Sequence, residues 1–285
     1  MTEYEGQLGL SDFVRSMTTR IDRHGEAYAA EVTEFREEPH TGQDDSAERE
    51  LLDSFNIHVE NVVAHYNPPE TRRRGDSLVF AHIYVAVGRS ADEDEGVRRT
   101  LLTALLAAEV ELRGPLRLSP TQNMHLAGIY ERIGTDLTAH GLPAHAVLSL
   151  RRAASLHGQN EDVDAQDRCG LAMARARRQA RSPAWRRIPG WAADLLCGYG
   201  YRPFRLLPWI ALLLVTFTIG LRASAEVSIT TAFHICLVNF LNPIGLGDLD
   251  RVHQIGRGLL IIESYVGIIS TSVFFALLVR RWFRL

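Results

Sequence analysis

The sequence predicts an all-α protein, in which a cytosolic helical domain precedes a membrane module with two spans. Two long apolar runs, at residues 204–221 and 259–279, are each about long enough to cross a hydrocarbon core of roughly 30 Å as a helix. A third apolar segment, residues 229–241, lies between them and is too short to cross. Upstream, apolar residues recur at helical spacing, most clearly over residues 46–66.

Charge and composition divide the chain into four regions. Residues 1–60 hold 15 acidic residues and five Arg, whereas residues 175–205 hold eight Arg against the single acid Asp194. We expect an acidic, poorly ordered segment at 1–45, a cytosolic helical domain at 46–180, a basic and aromatic juxtamembrane linker at 181–203, and the membrane module at 204–285.

The helical domain is predicted from periodicity. Residues 46–66 place apolar side chains on one helix face, with Ser46 as the expected N-cap. The run at 101–110 is too short to span a membrane and indicates a core helix, while residues 78–87 fit either a strand or a buried helix. Two later helices have apolar positions spaced as in a tetratricopeptide repeat, at Leu126, Ala127, Tyr130, Ala146, Leu150 and Ala153. The stretch joining them is about seven residues too long for that repeat, so a generic helical hairpin is the alternative.

The sequence lacks the motifs that are typical of several function classes. The three Cys are scattered, and the 11 His show no metal-ligand spacing, so we predict no metal site and no disulfide framework. No nucleophile pairs with a base and no phosphate loop is present, so we predict no enzyme activity, no catalytic residues and no cofactor. The basic stretch at 160–185 favours contact with anionic headgroups over nucleic acid.

Positive charge sets the expected topology. Arg186, Arg187, Arg202 and Arg205 precede the first span, and Arg280, Arg281 and Arg284 follow the second. By the positive-inside rule, both termini face the cytoplasm and the protein is a multi-pass protein of the plasma (inner) membrane. The segment between the spans then starts and ends outside.

That segment has the features of a helix that enters the membrane and a loop that returns. The apolar "ITTAFHICLVNFL" at 229–241 is followed by "NPIGLGD" at 242–248. Gly245 and Gly247 can adopt backbone angles that aim successive carbonyls toward one axis, and carbonyl rings replace the hydration shell of a permeating cation. Non-helical backbone at this depth needs covering protein, which indicates an assembly of several copies.

Residues 204–285 resemble the two-transmembrane pore domain of bacterial potassium channels. The segment "AFHICLVNF" is similar to the pore helix A-L-Y-F-S-L-V-T-F, and "IGLGD" is similar to the filter V-G-Y-G-D. The resemblance implies a homotetramer that conducts a monovalent cation, K⁺ by analogy. It places the ion filter at Ile244, Gly245, Leu246, Gly247 and Asp248, with Asn242 and Pro243 leading into it. On the inner helix it places an acid at Glu263 and a hinge at Gly267.

The departures from the family pattern leave two functions open. Pro243 stands where the family has a Thr hydroxyl, Leu246 replaces the bracing Tyr, and one extra residue precedes the filter. The chain is therefore expected to be a pore-forming channel subunit in which residues 46–180 sense a ligand or a cytosolic partner. The alternative is a non-conducting membrane-anchored scaffold or accessory subunit. The potassium preference, the gating stimulus and the partner are not fixed by the sequence.

A second channel-like string, "CGYGYRP" at 197–203, is not predicted to be a filter. It lies before the first span with no pore helix leading into it. We interpret Trp191, Tyr199 and Tyr201 as aromatic residues at the membrane interface.

Overall fold

The computed structural model describes residues 2–37, 44–68, 77–87, 94–180, 188–224, 227–241 and 254–282, and it divides the chain into two compact units. The N-terminal unit, Met1–Ile188, contains α1 (Thr2–Glu37), α2 (Asp44–Val63), α3 (Ala81–Ala86), α4 (Asp94–Arg113), α5 (Pro120–Ala139), α6 (Pro143–Gln159) and α7 (Val163–Ala180). The C-terminal unit, Pro189–Leu285, contains α8 (Ile188–Cys197, which begins one residue before the boundary), α9 (Leu206–Ser224), α10 (Ile229–Leu241) and α11 (Gln254–Trp282). The described residues contain no β-strand, which confirms the all-α prediction for that part of the chain.

The N-terminal segment differs from its prediction. Within the stretch 1–45 that was expected to be poorly ordered, residues 2–37 form the 36-residue helix α1, and residues 38–43 lie outside the described residues. Met17, Ile21, Tyr28 and Val32 lie on one face of α1 and are buried in the core. Their helical spacing supplies apolar contact that outweighs the repulsion among the acidic residues of this segment.

Two further local predictions are settled by the backbone. The amphipathic helix at 46–66 is present as α2, with Phe55, Val59 and Val62 buried, but it begins at Asp44, so Ser46 is not its N-cap. Residues 78–87, open between strand and helix, form a turn followed by the short helix α3.

The centre of the N-terminal unit is α4. Every residue from 101 to 111 is buried, so the prediction of a core helix at 101–110 is confirmed. Helices α1, α2, α3 and α5 pack against α4. Helix α1 lies close to α4 at Gly25. A Cβ added at Gly25 would lie only 2.3 Å from the Thr103 hydroxyl oxygen.

Helices α5, α6 and α7 are consecutive neighbours joined by three-residue connections at 140–142 and 160–162. Such short connections make neighbouring helices antiparallel. A capping box in which Ser119 and Gln122 exchange side-chain and backbone hydrogen bonds starts α5, with Pro120 in its first turn. All six residues of the repeat-like pattern are fully buried, as in a helical hairpin. The tetratricopeptide assignment stays a prediction.

A polar contact crosses this core between α1 and α6. The Tyr28 hydroxyl is hydrogen-bonded to His145 Nε2 and also donates to the Leu51 carbonyl at 2.9 Å. His145 is 2% exposed, and burial lowers its pKa from 6.5 to about 4. The imidazole is therefore neutral in the folded protein at neutral pH.

The low pKa of His145 predicts an acid-sensitive N-terminal unit. Between pH 6.5 and 4 the unfolded chain binds a proton at this residue that the folded chain does not bind, so the free energy of unfolding falls as the pH falls. We expect this residue to contribute a loss of about 2 kcal/mol between pH 7 and pH 5. Hydrogen exchange at α6 in the full chain, corrected for intrinsic exchange rates, measures it.

The matched variants are His145→Gln, which removes the titrating group, and His125→Gln on the exposed surface of α5. His145→Gln is expected to remove this part of the pH dependence, and His125→Gln to retain it. Equal pH dependence in wild type and His145→Gln would show that His145 is not the sensitive group.

Candidate functional site

Two helices of the C-terminal unit could cross a membrane. The apolar segments Pro203–Ser224 and Gly256–Val279 contain 22 and 24 residues, which corresponds to roughly 33 and 36 Å of helix at 1.5 Å per residue. Only 17% and 22% of their most apolar windows are buried within the chain. Core helices of a soluble protein are covered by their own chain, so this exposure fits helices that face lipid or other subunits.

In the chain, helix α10 follows the first of these helices and precedes the second, and it packs against both. Its 13 residues give a length of about 20 Å, which is short of a hydrocarbon core. Ala232 and Cys236 on α10 form a buried cluster with Leu221 of α9 and Leu260 of α11. Val238 and Leu241, on the other side of α10, are 39% and 70% exposed.

The C-terminal end of α10 is fixed to α11 by a buried amide. Asn239 Nδ2 donates to the Leu260 carbonyl oxygen at 2.8 Å and to Glu263 Oε2 at 3.2 Å. Asn239 is 5% exposed and Glu263 is fully buried. Residue 242, the first residue leading into the predicted filter, follows three positions after this contact.

This buried pair retains free acceptor capacity. Among the described residues, Asn239 Oδ1 and Glu263 Oε1 receive no hydrogen bond from a nitrogen or oxygen donor. Leaving a buried acceptor without a donor costs about 1–3 kcal/mol, and more when the acceptor is charged. The two oxygens can therefore accept further hydrogen bonds, and the Cys236 thiol is a described donor beside the Glu263 carboxylate.

Gly267 allows a close helix crossing. A Cβ added there would lie 3.0 Å from the Phe240 carbonyl oxygen and 3.1 Å from Phe240 Cδ2. The absence of a side chain thus lets α11 approach the last turn of α10. Helix α11 is continuous from Gln254 to Trp282, and the hinge role of Gly267 stays a prediction.

The predicted filter lies outside the described residues. This applies to Ile244, Gly245, Leu246, Gly247 and Asp248, and to Asn242 and Pro243 before them. Of the predicted site residues, Glu263 and Gly267 are described, and both contact the last turn of α10.

The other Gly-Tyr-Gly string forms a tight turn after α8. Gly198, Tyr199 and Gly200 all have left-handed φ values of 55°, 54° and 86°. The Tyr201 N–H donates to the Gly198 carbonyl at 3.0 Å, which closes the turn on itself. The string precedes α9, as expected from its position before the first span.

Sequence reasoning missed the polar partners of Glu263. Asn239 was the detectable signal, since it is a strongly polar side chain within an apolar helix. Cys236 was interpreted only as a structural thiol, but it lies beside both Glu263 and Thr218 of α9. These contacts depend on how three helices meet, which spacing along one helix does not specify.

No family model, no curated protein and no solved structure matches this chain. The potassium-channel resemblance therefore rests on the residues and motifs of the sequence itself.

Gly267 and Gly258 form a matched pair for testing the α10–α11 contact. Gly267→Ala is expected to lower the thermal stability of the C-terminal unit, because overpacking at a close contact costs about 1–3 kcal/mol. A Cβ at Gly258, also on α11, would meet no atom of the described residues within 4 Å. Gly258→Ala should therefore leave the melting temperature unchanged or slightly higher.

Thermal unfolding in detergent, followed by tryptophan fluorescence, compares the two variants. Equal melting temperatures for Gly267→Ala and Gly258→Ala would contradict the close contact.

Proposed function

We propose that the chain is a pore-forming subunit of a homotetrameric, potassium-like cation channel. In this proposal the N-terminal helical domain is a cytosolic sensor. The observation that carries the proposal is the position of α10, an apolar helix too short to cross a membrane, which packs against two helices that are long enough and that also contact each other. Its last turn is held on α11 at Leu260, Glu263 and Gly267, directly before the glycine-containing segment 242–248.

The electrostatics of α10 favour a cation near its C-terminal end. The last four carbonyl groups of an α-helix lack partners within the helix, and the helix dipole adds partial negative charge at that end. The carbonyls of Gly245 and its neighbours would continue this set of oxygen ligands. Four copies around one axis would supply a ring that replaces the hydration shell of a monovalent cation.

The Asn239–Glu263 pair offers a way to brace the filter loop. Asn239 Oδ1 and Glu263 Oε1 accept no hydrogen bond from a nitrogen or oxygen donor among the described residues, and both lie buried near the last turn of α10. Backbone N–H groups of a returning loop are the donors that such acceptors need at membrane depth. In this arrangement Glu263 holds the loop from behind and does not contact the ion.

A non-conducting scaffold or accessory subunit is the second candidate function. Pro243 favours it because proline supplies neither a hydroxyl nor an N–H at the position that the family uses for its innermost cation site. Under this alternative the two spans anchor the helical domain to the membrane without conducting ions.

Cation flux from proteoliposomes separates the two functions. Wild type is expected to conduct, and Gly245→Ala or Gly247→Ala to reduce flux to background, because a Cβ costs roughly 1–2 kcal/mol in a left-handed conformation in each of four subunits. Gly258→Ala is the matched control, since its Cβ would meet no described neighbour within 4 Å. A tetramer should persist in native mass spectrometry for all variants.

Absence of flux from wild-type tetramers would favour the scaffold. A strictly monomeric wild type would remove the pore proposal altogether.

The proposed topology places both termini in the cytoplasm and exposes only residues of about 222–258 outside. Asp250→Cys should therefore react with an impermeant thiol reagent in intact cells, while wild type, with Cys169, Cys197 and Cys236, gives the background. Labelling of Asp250→Cys only after lysis would reverse the topology.

A further inference from the structure

Three consecutive helices bring a Glu, a His and a Cys together in the N-terminal unit. Glu131 lies on α5, His157 in the last turn of α6, and Cys169 on α7. One possible ligand atom from each of them lies within 4.8 Å of the others. His157 and Cys169 are buried, and Glu131 is partly exposed at the edge of the cluster.

The hydrogen-bonding capacity of His157 in this cluster is not filled. Its side chain is 7% exposed, yet neither ring nitrogen has a hydrogen-bond partner among the described residues. Nε2 lies 3.5 Å from Glu131 Oε2, and Nδ1 lies 4.0 Å from Asp162 Oδ2. An imidazole buried without a partner is unfavourable, so its lone pair is available for a ligand.

The donor set suits a zinc-like ion. Thiolate, imidazole and carboxylate are the groups that bind Zn²⁺, at about 2.0–2.3 Å. A tetrahedral ion at those distances holds its donor atoms about 3.3–3.8 Å apart. The candidate ligand atoms lie within 4.8 Å of one another, and Glu131 Oε2 and His157 Nε2 are already 3.5 Å apart, so binding an ion would require only a small contraction of the cluster. A water molecule would complete the fourth position, as in sites with three protein ligands.

The surrounding charges match a metal-binding histidine. Asp162 accepts a hydrogen bond from the Ala165 N–H at 3.0 Å through Oδ1, which fixes this carboxylate at the start of α7 and leaves Oδ2 facing His157 Nδ1. A carboxylate that accepts a hydrogen bond from the second nitrogen orients a ligating imidazole, and Oδ2 would have to move in from 4.0 Å to make that bond. Arg168 Nε lies 3.6 Å from Glu131 Oε1, on the other oxygen from the one that faces His157.

We propose that Glu131, His157 Nε2 and Cys169 bind one divalent transition-metal ion of the Zn²⁺ class, with Asp162 as the residue that positions His157. The ion would tie α5, α6 and α7 together at one point. The sequence predicted no metal, because the three ligands are spread over 131–169 without ligand spacing, and only the packing of the helices brings them together. This site is independent of the proposed channel function.

Metal binding is tested on the full-length protein in detergent after removal of metals with a chelator. Co²⁺ alone should bind one ion per chain and give thiolate-to-cobalt charge-transfer absorption, and Zn²⁺ should displace it. Cys169→Ser should abolish the thiolate absorption, whereas Cys197→Ser and Cys236→Ser, which replace the other two free cysteines, should retain it.

Asp162→Asn separates positioning from ligation. The Asn side-chain oxygen can still cap α7, so folding should be preserved. Loss of the carboxylate should weaken Zn²⁺ binding about 10- to 100-fold while leaving the thiolate absorption in place at saturating Co²⁺. Competition with a chromophoric chelator measures this affinity.

Three results would overturn the proposal. They are a wild-type Co²⁺ spectrum without thiolate absorption, thiolate absorption that persists in Cys169→Ser, and loss of the absorption in Cys197→Ser. Because the wild-type spectrum alone gives the first result, the test does not depend on the folding of any variant.

Discussion

The fully buried carboxylate of Glu109 is hydrogen-bonded to side chains of three helices in the N-terminal unit. Glu109 of α4 accepts hydrogen bonds from Arg113 Nε at 2.7 Å, from Arg152 Nε of α6 at 2.9 Å, and from the Tyr130 hydroxyl of α5 at 3.1 Å. A buried charge is tolerated only with such partners, and removal of one partner typically costs 3–5 kcal/mol. Because the Glu109 carboxylate must keep these partners, α4, α5 and α6 are fixed relative to one another at this point.

Among the described residues of the C-terminal unit, the buried carboxylate of Glu263 is not paired to the same extent. Asn239 and Glu263 satisfy one another only in part, and the apolar sides of α9 and α11 are left uncovered by the described residues. If the two long helices span a membrane as proposed, lipid would cover their apolar sides but would supply no hydrogen-bond donors, so the donors would have to come from protein.

The spacing of apolar residues predicted the helices that have an apolar pattern on one face or along their whole length. It was sufficient for α2, for the core helix α4 and for the two long apolar helices, because each has an apolar pattern of the right length. It failed for α1, where acidic composition was given more weight than the helical spacing of Met17, Ile21 and Tyr28. It also missed Asn239, whose role depends on contacts between helices that are distant in sequence or meet at an angle.

The complete burial of α4 has a consequence for how the N-terminal unit opens. Residues 101–111 have no solvent-facing side, so their amide groups become accessible only when the neighbouring helices separate. Protection of these amides from exchange therefore reports the global stability of the unit. Any ligand that binds the folded unit should therefore increase the protection of the α4 amides from exchange, even when it binds at a distant point on the surface.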